Sequence, residues 1–220
     1  VIETRVRIMT TKIAVIGAGN VGGNLGVTLS KSGFAVQFGV REGTDTKTLL
    51  ARTSGATAAE SSSAAAWADV IFIAVPATAA LDVAKSLAKS LEGKIVVDCN
   101  NPLTWKDGPV WAPPAEGSLA AAIAKAAPGA RVVKGFNTFG AEFHGDPKFA
   151  GAPAEVFLAS DDADAKKSVI DIATKAGFRP VDAGPLRNAA VLENLAMLWI
   201  HLATVGGHGR TFTFTMQTRG

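Results

Sequence analysis

An apolar run, Ile13-Ala14-Val15-Ile16, passes without interruption into Gly17-Ala18-Gly19-Asn20-Val21-Gly22. No other feature constrains the chain as much, because each glycine at this spacing answers a separate steric demand. Gly17 permits a tight turn, Gly19 lets the backbone approach a pyrophosphate, and Gly22 lets the following helix pack closely on the strand. Leu25, Val27 and Leu29 then continue as a helix that Gly33 ends. The unpaired N–H groups at the start of that helix, with the favourable end of its dipole behind them, face an anion. Gly17, Gly19, Asn20, Val21 and Gly22 are therefore expected to hold the phosphates of a dinucleotide.

The rest of the chain suits one compact unit. Of 220 residues, 48% are hydrophobic, enough for a substantial core. No apolar run approaches the roughly 20 residues that cross a bilayer, so a soluble protein without a membrane partner is expected. Val1 to Thr10 carries Arg5 and Arg7 but lacks the apolar stretch of a secretory signal. Met9 closely precedes the first strand, so residues 1–8 are expected to be an upstream extension that contributes nothing to the fold. A single cysteine, Cys99, rules out an internal disulfide and fits a reducing, cytoplasmic setting; it reads as a small buried filler. The net charge of +3 comes without a dense Lys/Arg run, which argues against nucleic acid and for a few cations reserved for phosphates.

Strands and helices alternate along the chain. Strands are expected at Phe34–Gly39, Ala56–Ala59, Val70–Val75 (stopped by Pro76), Ile95–Val97 and Val132–Lys134. Helices are expected at Asp45–Arg52, Glu60–Ala68 and Ala79–Leu91, and a Trp/Pro/Gly-rich loop at Leu103–Gly117 leads to an Ala-rich helix. Continuous apolar strands of this kind belong in a parallel sheet covered on both faces. The fold class is α/β, a doubly wound Rossmann-type sheet over residues 9–150, with ligands outside the carboxyl ends of the strands.

Polar residues cluster at those ends. Val75-Pro76 closes one strand, Asp98-Cys99-Asn100-Asn101-Pro102 the next, and Gly135-Phe136-Asn137-Thr138 the last. Val75, Pro76, Asn100, Asn101, Pro102, Phe136, Asn137 and Thr138 are candidates to bind a nicotinamide and its reaction partner. Asx residues also satisfy loop backbone groups, and for Asp98 that reading stands level with a functional one. The second strand end decides the nucleotide. An NAD site places an acid there for the ribose 2′-OH, and Gln37 to Val40 supply none. Arg41 can pair instead with a 2′-phosphate, which favours NADP(H). Two alternatives stand beside this: Arg41 as an exposed loop charge, and Glu42 serving a 2′-OH in a loop shifted by one residue.

Residues 151–220 read as a smaller α/β lobe, with strands at Ala154–Leu158 and Phe178–Asp182 around a helix at Asp161–Ala176. A nearly apolar helix follows at Ala189–Val205, broken mainly by Glu193, Asn194 and His201, and is expected to be buried in the chain or at a homodimer contact. Glu193 and His201 read as structural contacts rather than an acid/base dyad. Phe212 and Phe214 alternate with threonines, suggesting a closing strand at Thr211–Thr215, while His144 and His208 fall in expected loops and read as solvent-exposed, with a functional alternative for His144 because it follows the crevice motif.

Taken together, these motifs resemble the reductases that move hydride between NADPH and the deazaflavin coenzyme F420, and their NADP oxidoreductase relatives. The resemblance spans nearly the whole chain: the glycine turn; Asp98-Cys99-Asn100-Asn101-Pro102, similar to the family's DATNP; Lys134-Gly135-Phe136-Asn137-Thr138, similar to KAFNT; Asp182-Ala183-Gly184-Pro185-Leu186-Arg187; and the helix around Leu192-Glu193 and Leu195–Ile200. The chain departs from the family's Ser-Arg-Arg after the second strand, carrying Val40-Arg41-Glu42. The resemblance implies an NADPH-dependent oxidoreductase with coenzyme F420 as second substrate. Metalloreductase cytosolic domains look similar too, so a flavin or ferric-chelate reductase is the alternative enzyme, and an NADP-binding redox sensor without turnover the non-enzymatic one. Only about 35 residues follow Pro185, short of the helical domain of pyrroline-carboxylate and hydroxyacid reductases, and no metal-ligand cluster or hydrolase triad order is recognisable. Transfer between two coenzymes needs none of these, only donor and acceptor carbons held about 3–3.5 Å apart in a dry crevice.

Overall fold

The structure, a computed structural model, describes residues 11–219. The expected domain start at residue 9 and the extension at 1–8 lie outside the described residues. Strands β1 (Lys12–Ile16), β2 (Ala35–Val40), β3 (Thr57–Glu60), β4 (Val70–Ile73) and β5 (Ile95–Asp98) are followed by a hairpin, β6 (Leu103–Trp105) and β7 (Pro109–Trp111), and then by β8 (Arg131–Lys134). All but the hairpin lie parallel in one sheet, ordered β3-β2-β1-β4-β5-β8. The order reverses between β1 and β4, so the crevice above their carboxyl ends is the place for a ligand.

Period-two alternation explains how the sheet is covered. Ile13 and Val15 of β1 point into one core with Leu25, Leu29, Val169 and Ile172, whereas Ala14 and Ile16 point into another with Ala64, Ala84, Leu87 and Ile123. The first core is roofed by α1 (Asn20–Lys31) and α6 (Ala163–Lys175); the second by α3 (Ser61–Trp67), α4 (Ala77–Leu91) and α5 (Leu119–Ala126). A single turn, α2 (Lys47–Leu50), follows β2. No described helix is long and apolar enough to cross a membrane.

After residue 150, β9 (Glu155–Leu158) and β10 (Arg179–Asp182) pair in parallel around α6, and Ala154, Val156, Leu158 and Phe178 join the first core. Ala159 exchanges backbone hydrogen bonds with Lys134 at 2.8 and 3.0 Å, tying this pair to the edge of the main sheet. The last helix, α7 (Ala189–Thr204), buries Leu192, Ala196 and Trp199 but exposes Val191 and Leu198 on its other side.

Three sequence expectations are corrected here. Leu103–Gly117 is not all loop, since β6 and β7 pair antiparallel through Thr104 and Val110. Thr211–Thr215 forms no strand. The Phe/Thr alternation is used otherwise: Phe212 stacks on Trp199, Trp199 Nε1 donates to the Phe212 carbonyl at 2.9 Å, and Met216 N donates to Glu155 Oε2 at 2.8 Å. His144 is not exposed in a loop but fully buried in a 3₁₀ turn, Ala141–His144.

Candidate active site

The three glycines of the first turn have different surroundings. Gly17 has φ +106°, and a Cβ there would collide with the Ala74 carbonyl oxygen. A Cβ on Gly22 would strike the Gly17 carbonyl. Gly19 has extended backbone, φ −75°, and a Cβ on it would meet nothing within 4 Å. Two glycines thus lock strand to helix, and the third faces open space at the N-terminus of α1. That terminus has no side-chain cap and no acidic residue in its first turn, leaving its N–H groups and dipole unopposed for an anion. The turn has room for a pyrophosphate, because the volume a side chain would fill at Gly19 is free at the uncapped N-terminus of α1.

Beside the turn, a cleft of about 360 Å³ opens over the carboxyl ends of β1, β2 and β4. Gly17, Val75 and Pro76 line it, with Ala79 and Val83 of α4 forming an apolar wall. Arg41, Thr44 and Ser61 give its outer end polar groups, and Glu42 is not among the lining residues. The Arg41 loop is shaped by Gly43 at φ +75° and by Thr44, whose N and Oγ1 donate to the Arg41 carbonyl at 3.2 and 2.7 Å. Sequence reasoning missed both Thr44, a neighbour of Arg41 within its own turn, and Ser61, which comes near Arg41 only once β2 and β3 are laid side by side.

The strand-end motifs sit one and two strands further along. Asn101 and Asn137 exchange hydrogen bonds: Asn101 Nδ2 donates to the Asn137 carbonyl at 2.8 Å, and Asn137 Nδ2 to Asn101 Oδ1 at 2.8 Å. Asn100 is buried and donates from N and Nδ2 to Asp98 Oδ1, at 3.0 and 2.9 Å, so its side chain is spent on the fold. The Phe136 ring is also spent, packed edge-on between Phe72 and Phe178 at 5.4 Å from each. Its backbone stands at φ +59°, unusual for a bulky residue. Pro102 and Thr138 are buried.

Beneath these loops lies a buried ionic cluster. Lys134 Nζ reaches Asp98 Oδ2 at 2.8 Å and Glu193 Oε1 at 3.2 Å, all three side chains being fully buried, and it also donates to the Asn100 carbonyl. Glu193 further accepts from Leu119 N at 2.9 Å and Trp111 Nε1 at 3.0 Å, whereas His201 is exposed, so the two share no chemistry. Asp98 therefore takes the structural of its two readings. Lys134 was not singled out from sequence, although the register that pairs Asp98 with Lys134 on adjacent strands carries the signal. Cys99 is buried, and burial, reinforced by the Asp98 carboxylate, pushes its thiol pKa up, leaving it inert.

His144 supplies a pH prediction. Its Nε2 lies 2.8 Å from the Phe136 carbonyl and its ring packs on Phe139, while burial pulls its pKa below 6.5. The unfolded chain binds this proton more readily than the folded one, so stability is whole above about pH 6.5 and falls as the pH drops below it. Melting temperatures measured from pH 7.5 to 5 should show this decline, and His144→Phe should flatten it. Equal slopes in both proteins would remove His144 as the cause.

The family model of coenzyme F420-dependent NADP oxidoreductases matches residues 12–102. Metalloreductase STEAP3 of Rattus norvegicus is 32% identical over 187 residues, covering 84% of this chain but only 36% of its own length, so the chain spans just over a third of that relative. The F420-dependent NADP reductase of Methanothermobacter thermautotrophicus is 27% identical over 219 residues, covering 90% of this chain and 91% of that one. The crystal structure of a candidate F420-dependent NADP reductase from Arthrobacter sp. FB24 superposes with a TM-score of 0.83 at 30% identity, covering 94% of this chain and 99% of the other.

Proposed function

This chain belongs to the family of coenzyme F420-dependent NADP oxidoreductases, and from that membership we propose that it transfers hydride between NADPH and a deazaflavin of the coenzyme F420 type. The observation that carries the reading is the end-to-end match to reductases of that type, 91% and 99% of their lengths, against 36% of the metalloreductase. On this reading Gly17, Gly19, Asn20, Val21 and Gly22 hold the pyrophosphate, and Arg41 pairs with the 2′-phosphate. Val75 and Pro76 wall the cleft; Asn100, Asn101 and Pro102, with Phe136, Asn137 and Thr138, frame the nicotinamide end, Asn100 and Phe136 by shaping the loops, since their polar groups are committed within the fold. On the same reading the nucleotide domain runs to residue 150, and the described residues from 151 to 219 form the smaller lobe that packs on it. NADPH supplies the hydride when bound, and the chain contributes position and exclusion of water rather than a proton relay.

Stopped-flow oxidation of NADPH against a panel of deazaflavin, FMN, FAD and ferric chelate tests the assignment. Deazaflavin should react fastest. Preference for a flavin or ferric chelate would transfer it to the alternative that the 32% identity to a metalloreductase favours. Binding without turnover on any acceptor would make the protein a redox sensor.

Arg41→Ala should weaken NADPH binding about tenfold or more, the worth of one charge-assisted contact, and leave NADH nearly unchanged. Titration with both nucleotides reads the difference, and equal losses would mean that Arg41 shapes the loop instead. We propose in addition that the face of α7 carrying Val191 and Leu198, 63% and 48% exposed, meets a second copy of the chain. A dimer mass at micromolar concentration, reduced to a monomer by Leu198→Glu, is the expected result, and a monomeric unaltered protein removes the proposal.

A further inference from the structure

Lys134, Asp98 and Glu193 have no role in the hydride step as proposed above, yet they lie directly beneath the loops assigned to the nicotinamide end. Their bonds continue into those loops. Lys134 holds the Asn100 carbonyl; the next residue, Asn101, is paired with Asn137; and Asn137 Nδ2 also donates to the Leu192 carbonyl at 3.1 Å, one residue from Glu193. The bonds form a closed circuit through the ends of β5 and β8 and the first half of α7. Glu193 extends it to the hairpin through Trp111 and to the start of α5 through Leu119.

A buried ionic cluster is a poor device for stability alone, since apolar groups of the same volume serve as well. What it imposes is one geometry. A second observation points the same way: Phe136, within the same loop, is held at φ +59° by its wedged ring and by His144 at its carbonyl. Such backbone persists only where the surroundings over-determine it. We propose that Lys134, fixed by Asp98 and Glu193, is a positioning residue that preforms the nicotinamide end of the crevice through the Asn100 carbonyl and the Asn101–Asn137 pair. The inference rests on the nucleotide reading above.

Two ligands separate the halves of the site. NADP+ reaches both ends, whereas 2′,5′-ADP carries the adenine and 2′-phosphate but no nicotinamide. Calorimetric titration of Lys134→Met should show NADP+ affinity reduced about tenfold with 2′,5′-ADP within about twofold, since the loss of a charged hydrogen-bonding partner is confined to one end. Because Lys134→Met leaves two buried carboxylates without their cation, the double variant Asp98→Asn with Lys134→Met is measured beside it. It removes the pair together and keeps a carbonyl oxygen for Asn100. The double variant should fold and show the same selective loss. Equal losses for the two ligands, no loss for either, or failure of the double variant to fold would assign the cluster to stability and overturn the proposal. Failure of the unaltered protein to bind either ligand would instead sink the nucleotide reading itself.

Discussion

Gly19→Val should abolish NADPH binding and leave the protein folded. The structure separates these two effects. Gly19 has an extended backbone that valine adopts readily, and the space beyond its Cα is open, so the fold has no steric reason to object. Its loss as the N-cap of α1 costs at most about 1 kcal/mol. The branched side chain, however, would fill the open space in which the proposed function seats a pyrophosphate against the backbone. Displacing it from two N–H donors, each worth about 1.5–3 kcal/mol toward a charged group, weakens binding about a hundredfold or more. Circular dichroism and nucleotide titration on the same sample read both halves. A folded variant with unchanged affinity would make the motif structural only. Gly17→Ala and Gly22→Ala should behave oppositely, damaging the fold first, because their Cβ atoms meet the Ala74 and Gly17 carbonyls.

The second large effect is on stability. Lys134→Met should destabilise the protein by roughly 3–5 kcal/mol, the cost of leaving buried charges without their partner. Against a total of about 5–15 kcal/mol for a domain, that is a large share. The midpoint of urea unfolding should fall accordingly, and removing the Asp98 charge as well should recover part of the loss. A single variant within about 1 kcal/mol of the unaltered protein would mean that water reaches the cluster and solvates it.

The sheet was legible because its strands are continuous apolar runs separated by glycines, and the strand-to-helix turn because three glycines at fixed spacing each have different steric surroundings. What escaped depends on distance along the chain. Lys134 and Glu193 are 59 residues apart, and neither has a local pattern that announces a partner. The hairpin was hidden by Trp, Pro and Gly residues that read as loop, although Asp107 and Gly108, both at positive φ, make a turn there. The tail from Thr211 to Thr215 has the period of a strand, but the Phe212 ring and carbonyl are taken by Trp199, and Glu155 takes the donor that follows, Met216 N, contacts that periodicity alone could not show. His144 misled for a related reason: its burial comes from Phe139 and the Phe136 carbonyl, a pocket that forms only when the turn folds back on β8.

On the proposed function, hydride passes directly between two carbons held in one crevice, with no side chain exchanging it for a proton. NADPH carrying deuterium at the transferred C4 position, oxidised with deazaflavin as acceptor, tests this in a single turnover. A deazaflavin has carbon where a flavin has its reactive ring nitrogen, so a hydride delivered there stays as a C–H bond and does not wash out. Mass spectrometry of the reduced acceptor should recover the deuterium in full, with none released to water. Deuterium in the solvent and an unlabelled acceptor would contradict direct transfer and the account built on it.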